Sequence, residues 1–166
     1  MSITIKQNLI TGGKLGSGTD ITEMKGVTIH DTGNPKEGAD AEWHARYLKS
    51  DYAASREASW HFAVDEKGAV QSIPINKTSW HCGKRAGNNT TVSIEICVNA
   101  DGDLMAATKN AAELAATILR EVGLPVDGHL FRHYDWSGKN CPAQINNGNP
   151  ITWDEFINVV KNYYGA

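Results

Sequence analysis

Apolar and polar positions follow two rhythms along this chain. In VSIEICV, Val92, Ile94, Ile96 and Val98 alternate with Ser93, Glu95 and Cys97, which predicts a strand over 92–98 with one face in a core and a carboxylate on the other. VTIH, residues 27–30, repeats the alternation and runs straight into the turn formers DTGNP, so His30 falls at the C-terminal end of a short strand. WHFAVDEKGAVQSIPI reads as two strands joined at DEKG, with Trp60, Phe62 and Val64 on one face of the first and His61 and Ala63 on the other.

The helical rhythm is clearest between Asp103 and Val122. Ala111, Leu114, Ala115, Ile118, Leu119 and Val122 recur at three and four residues, and Gly123 and Pro125 supply the stop. Thr152 with Glu155 forms a capping box for a last helix to about Tyr163, turning Trp153, Phe156, Ile157 and Val160 inward. Asp40 caps a shorter helix, reaching about Ser50, whose Trp43, Tyr47 and Leu48 share a face. DYAASREAS reads as polar connection, HCGKRAGNNTT (81–91) as an exposed loop fit to present binding groups, and the glycine-rich residues 1–26 as an extended arm.

This order predicts one α/β domain over 1–166, a mixed central β-sheet flanked by helices. The arm covers 1–26, a motif-bearing core 27–142, and the C-terminal helix 152–163. If the three best strands are neighbours, Thr28, His30, His61, Ser93 and Glu95 lie on one polar sheet face, a candidate catalytic floor.

Size and composition narrow the function. A chain of 166 residues that is 40% hydrophobic closes its own core. Its net charge of −3 argues against a nucleic-acid binder held by a broad basic surface. No apolar run approaches the roughly 20 residues of a membrane span, and the opening MSITIKQNLITGG lacks a secretory pattern, so synthesis in the cytoplasm is expected. Three cysteines, Cys82, Cys97 and Cys141, do not suggest a disulfide framework. Cys82 and Cys97 read as buried, inert thiols.

The chemistry concentrates in RHYDWSGKNCP, residues 132–142, a turn-rich loop with His133 and Cys141 eight residues apart and Lys139 just before the cysteine. A catalytic zinc takes three protein ligands and leaves a fourth position open. His133, Cys141 and the strand-end His30 fit such a set, and zinc makes bound water acidic enough to serve near neutral pH. Glu95, on the same sheet face, can take a proton and return it to a leaving nitrogen, while Lys139 can stabilise an oxyanion. Together these parts describe amide hydrolysis. His44 and His129 read as non-ligands, and Trp136 as an anchor for its own loop.

VTIHDTGN, SWHFAVDEKGAVQSIP, TSWHCGK, SIEICVN and RHYDWSGKNCP, in this order and spacing, resemble the zinc-dependent N-acetylmuramoyl-L-alanine amidases of type 2. That family includes phage endolysins, bacterial autolysins and animal peptidoglycan-recognition proteins. The resemblance runs from about Gly26 to Pro142, and IKQNLI also resembles an endolysin leader. It implies zinc on His30, His133 and Cys141, Glu95 as acid/base and Lys139 on the oxyanion. It places His81 where the family has a similar Trp-His pair, a candidate substrate contact with Trp80 and Arg85. His61 is either a second support for the site or simple packing. Ser93 stands where family members often carry glycine.

The expectation is a monomeric amidase acting on peptidoglycan, cleaving between N-acetylmuramic acid and L-alanine. In the endolysin case it waits in the cytoplasm and reaches the wall when the membrane is breached. Two other readings stay open: a binding module of the same fold that does not cut, against which Cys141 and Glu95 weigh, and a structural zinc domain. The last requires a fourth protein ligand, such as Cys97 or His61.

Overall fold

A computed structural model describes residues 2–16 and 18–166; Met1 and Ser17, both in the predicted arm, lie outside the described residues. The elements are β1 (Ile5–Gln7), β2 (Gly26–Asp31), α1 (Ala41–Tyr47), α2 (Asp51–Arg56), β3 (Phe62–Asp65), β4 (Gly68–Gln71), α3 (Arg85–Asn88), β5 (Thr91–Ile96), α4 (Leu104–Glu121), β6 (Leu130–Arg132), α5 (His133–Ser137), α6 (Ala143–Asn146) and α7 (Trp153–Tyr164). The six strands form one mixed sheet in the order β1-β4-β3-β5-β2-β6. Only β3 and β4, the predicted hairpin, run antiparallel; the other pairings are parallel. The expected α/β architecture is therefore present.

Strand parity divides the molecule into two layers of packing. Val27, Ile29, Phe62, Val64, Val92, Ile94 and Ile96 bury themselves under α4, whose Ala111, Leu114, Ala115, Ile118 and Leu119 form the facing stripe, and α7 adds Phe156 and Val160. Each Val, Leu or Ile side chain among them contributes about 1.5–3 kcal/mol by leaving water. On the opposite face a smaller cluster joins Ala63, Val70 and Cys97 to Ala41, Ala45 and Leu48 of α1 and to Leu15. No helix of the described residues is long and apolar enough to cross a membrane.

Register then sets the site. Thr28 pairs with Ser93 and His30 with Glu95 across β2 and β5, while Ala63 lies opposite Glu95 from β3. His30 and Glu95 thus stand near the C-terminal ends of adjacent parallel strands, where open α/β sheets place their ligand crevices.

Several local expectations are corrected. The arm enters the sheet: β1 pairs with β4, Asp20 bridges Lys77, and Leu15 is buried. DYAASREAS is not connection but α2, because the Ser50 hydroxyl accepts from the Ala53 N–H and caps it. The face of α1 that packs inward carries Ala41, His44, Ala45 and Leu48, leaving Trp43 37% exposed and stacked on Tyr47. Trp60 leaves the Phe62/Val64 face and stacks on Tyr47 in the smaller cluster. The cause is local: the His61 N–H donates to the Ser93 hydroxyl and the Ser59 N–H to the Trp80 carbonyl, so strand geometry starts only at Phe62.

Candidate active site

The motif 132–142 is not a loop but the end of β6, the helix α5 and a return turn. The Asp135 carboxylate accepts from the Arg132 N–H, which opens α5 with His133 as its first residue. Gly138, at φ 76°, ends it in the left-handed region that glycine enters at no steric cost. The chain then doubles back so that the Tyr134 N–H donates to the Cys141 carbonyl, which brings Cys141 beside His133, eight residues earlier. The Gln144 N–H donates to the Asp31 carboxylate at 2.9 Å and fastens the returning chain to the end of β2, beside His30.

Three ligand atoms converge there. His30 Nδ1 lies 3.1 Å from His133 Nδ1 and 3.7 Å from Cys141 Sγ. All three residues are buried, their donor atoms within 4.8 Å of one another, and they are the members of the one such cluster among the described residues. Tetrahedral zinc, with bonds of about 2.0–2.1 Å to nitrogen and 2.3 Å to sulfur, separates two nitrogens by about 3.3 Å and a nitrogen from a sulfur by about 3.6 Å. The donor spacing and the donor chemistry both fit the ion.

Glu95 stands beside the cluster, Oε1 3.8 Å from His30 Nδ1. Lys139 is exposed and lines the same cleft, a hollow of ≈ 190 Å³ walled also by His81, Trp60 and Trp80. The Thr32 hydroxyl and the Trp60 indole N–H are buried without a hydrogen-bond partner, and both residues line this cleft.

Burial dominates the electrostatics. It pushes His30 well below the ordinary imidazole range, with His81, His133 and Lys139 adding to the effect. His133 is lowered by burial and then by Lys139, while the Cys82 carbonyl, accepting from its ring, opposes this. Both rings are therefore neutral, the state a metal ligand requires. Burial, then the charge of Glu95, lifts the Cys141 thiol to about 12, so a cation must displace its proton to bind. Glu95 is raised to about 8 by burial and by Asp31, with Lys139 pulling it back.

The remaining sequence candidates separate. Trp80 is 39% exposed and lines the cleft; it also lines a neighbouring hollow with exposed Arg85 and Lys14. His61 does not line the cleft: it is fully buried, bonded to Ser93, Ser79 and the Lys77 carbonyl, and burial lowers it to about 4. His81 is buried, and its ring nitrogens face His30 Nε2 at 2.9 Å and the Thr91 hydroxyl at 3.4 Å. The 81–91 stretch is exposed only in part: Gly83, Lys84, Arg85, Ala86 and Asn89 reach the surface, while His81 and Cys82 pack behind the cluster and Arg85–Asn88 form α3. Trp136 does anchor its own segment, donating to the Thr28 hydroxyl and packing on Phe131. Neither Cys97, beside His44 in the smaller cluster, nor His61 joins the three ligand atoms, so the fourth protein ligand of a structural zinc domain is not found among the described residues.

Residues 20–144 match the family model described as N-acetylmuramoyl-L-alanine amidase. The chain belongs to this amidase family. It is 42% identical over 132 residues to the N-acetylmuramoyl-L-alanine amidase XlyA of Bacillus subtilis (strain 168), covering 78% of this chain and 42% of that protein. It is 37% identical over 138 residues to the amidase CwlH of the same organism, covering 81% and 52%. The chain thus spans about half the length of these relatives. The solved catalytic domain of XlyA superposes with a TM-score of 0.86 at 38% identity, over 95% of this chain and 99% of that one. The fold of this amidase domain is the one the resemblance implied.

Acidic Asp31 and the backbone carbonyl of Cys82 escaped the sequence reading. Asp31 follows His30 directly and could have been suspected from that alone; the Cys82 carbonyl carries no signal in a sequence.

Proposed function

We propose that this chain is a zinc-dependent amidase that hydrolyses the bond between the lactyl group of N-acetylmuramic acid and L-alanine in bacterial peptidoglycan. One observation carries the reading: a three-donor cluster of His30, His133 and Cys141, open to a cleft, with the carboxylate of Glu95 beside it. Zinc held by those three residues supplies a Lewis acid that acidifies water and polarises the scissile carbonyl. Glu95 takes the proton of the attacking water at its carboxylate, holds it in a desolvated pocket that favours the protonated acid, and returns it to the departing alanine nitrogen. Lys139 places its ammonium at the mouth of the cleft, where it stabilises the charge that develops on the carbonyl oxygen.

The names of the relatives XlyA and CwlH, both N-acetylmuramoyl-L-alanine amidases, support the bond specificity. An endolysin role fits the 38% identity and TM-score of 0.85 to a structure titled as a mutant endolysin from Bacillus subtilis. The test is digestion of purified peptidoglycan with and without a chelator. New L-alanine amino termini that vanish with chelator and return with zinc are expected; reducing sugar ends, or no product, would overturn the reading.

A further inference from the structure

We propose that His81 is a positioning residue: by accepting the Nε2–H of His30 it fixes that ring's tautomer and turns the Nδ1 lone pair toward His133 and Cys141. The inference starts from a chain of hydrogen bonds in which each group has a single proton to give. The Thr91 hydroxyl donates to the Gly87 carbonyl at 2.9 Å, and a carbonyl can only accept. Its one proton spent, Thr91 can only accept from its other neighbours. The Thr28 hydroxyl, 2.8 Å away, therefore donates to it, and Thr28 in turn accepts the Trp136 indole N–H at 3.0 Å. The ring of His81 meets Thr91 through Nε2 at 3.4 Å and also gives a hydrogen bond to the Gly87 carbonyl. Two acceptors thus hold the His81 proton on Nε2.

With that proton placed, His81 Nδ1 carries a lone pair, and it lies 2.9 Å from His30 Nε2. His30 must be the donor across this contact. Its proton is on Nε2, and its bare Nδ1 faces the other two ligand atoms. The ring centroids are 5.0 Å apart with planes at 87°, a separation that fits an N–H of one ring pointing at the in-plane lone pair of the other rather than at its π face. Metal-bound histidines are commonly oriented by a partner on the far nitrogen, usually a carboxylate or carbonyl. Here an imidazole does the work, and it is held by residues from β2, β5, α3 and α5 together. His81 is therefore not the substrate contact its place beside Trp80 suggested, since both ring nitrogens are already committed.

The metal part of this inference rests on the proposed zinc reading; the tautomer part does not. His81→Phe keeps the ring shape and removes both nitrogens, whereas His81→Asn puts an amide oxygen where Nδ1 stood. In metal-free protein, long-range ¹H–¹⁵N correlation of the imidazoles should show His30 protonated at Nε2 in the wild type and in His81→Asn, and a mixture of tautomers in His81→Phe. Zinc affinity by chelator competition should fall about 10–100-fold in His81→Phe and be restored in His81→Asn. A wild-type His30 protonated at Nδ1 would overturn the proposal, as would His81→Phe with unchanged tautomer and affinity, or a raised KM with zinc affinity intact. A wild type that binds no zinc overturns the metal reading alone, because the tautomer measurement still decides this one. If His81→Phe does not fold, Thr91→Val carries the test: it removes one of the two acceptors, and the share of His30 protonated at Nδ1 should rise; an unchanged share would overturn the proposal.

Discussion

His30 Nδ1 and His133 Nδ1 face each other at 3.1 Å although each ring gives its other nitrogen to a protein group, His81 for one and the Cys82 carbonyl for the other. Two neutral imidazoles so committed turn lone pairs toward each other, with the Cys141 sulfur 3.7 Å from one of them. That arrangement is repulsive until a cation sits among the three donors. Zinc should therefore stabilise the fold. At 100 times the dissociation constant the gain is about 2.7 kcal/mol, which for a domain of this size raises Tm by roughly 5–10 °C. Thermal melts with and without chelator check this, and a Tm indifferent to zinc would refute the site.

Glu95→Ala should lower kcat by about 10²–10⁴-fold while zinc remains bound, because the carboxylate lies beside the donor cluster and is not a member of it. Metal content measured after dialysis is the control. Loss of zinc in this variant would recast Glu95 as a ligand.

Lys139→Met removes the ammonium that opposes the rise of Glu95. Turnover should fall by about 10²–10³-fold. The base must be ionised to act, so activity climbs as pH rises through its pKa, and without Lys139 that acid limb should move to higher pH. Rate profiles of the two proteins, compared at saturating zinc, would contradict the assignment if the limb stayed in place or moved down.

His61 and Ser93 exchange hydrogen bonds that a strand pair would normally make through backbone alone: the Ser93 N–H donates to His61 Nδ1 and the His61 N–H donates to the Ser93 hydroxyl. Burial holds the His61 pKa at about 4, against about 6.5 in an unfolded chain. A depressed histidine contributes stability that is whole above the unfolded value and is lost as pH falls from about 6.5 toward 4. The loss is on the order of 3 kcal/mol. Urea unfolding of metal-free wild type and His61→Asn across that window should show the wild-type advantage shrinking with acid; a difference independent of pH would mean that His61 is not the group responsible.

The long periodic elements were legible because their period and their burial agree. Val92, Ile94 and Ile96 and the stripe Ala111 to Leu119 are buried as their alternation selects, although the strand ends at Ile96 and leaves Val98 half-buried, and Asp40 and Thr152 cap the helices they were expected to cap. Short elements were not legible. β6 has three residues and α5 five, too few to establish a rhythm, and both exist because Arg132 and Asp135 pair and the Cys141 turn folds back on Tyr134. The donor set could be drawn from residue types and spacing, since His133 and Cys141 stand close in one motif and His30 falls at a strand end. The supports behind it could not: the Cys82 and Gly87 carbonyls act through the backbone, and the role of His81 depends on which ring nitrogen meets which neighbour.

Gly87 offers a sharp test of how tightly those supports are packed. A methyl group at this position would stand 2.5 Å from Cys82 Sγ and 2.8 Å from the Trp136 ring. Neither neighbour can give way freely. Trp136 donates to the Thr28 hydroxyl, while Cys82 Sγ contacts the Lys84 carbonyl and the Asn88 side chain. Gly87→Ala should therefore cost about 1–3 kcal/mol, the usual range for overpacking, despite the better helix propensity of alanine. The strain falls on residues that hold His81 and His133, so zinc affinity should drop along with the urea midpoint. Gly33 gives a control: a Cβ there meets no atom within 4 Å, and the residue sits at φ 59°, so the cost of Gly33→Ala is backbone strain alone, without loss of zinc affinity. Equal effects of the two substitutions on zinc binding would show that packing around Gly87 does not reach the metal cluster.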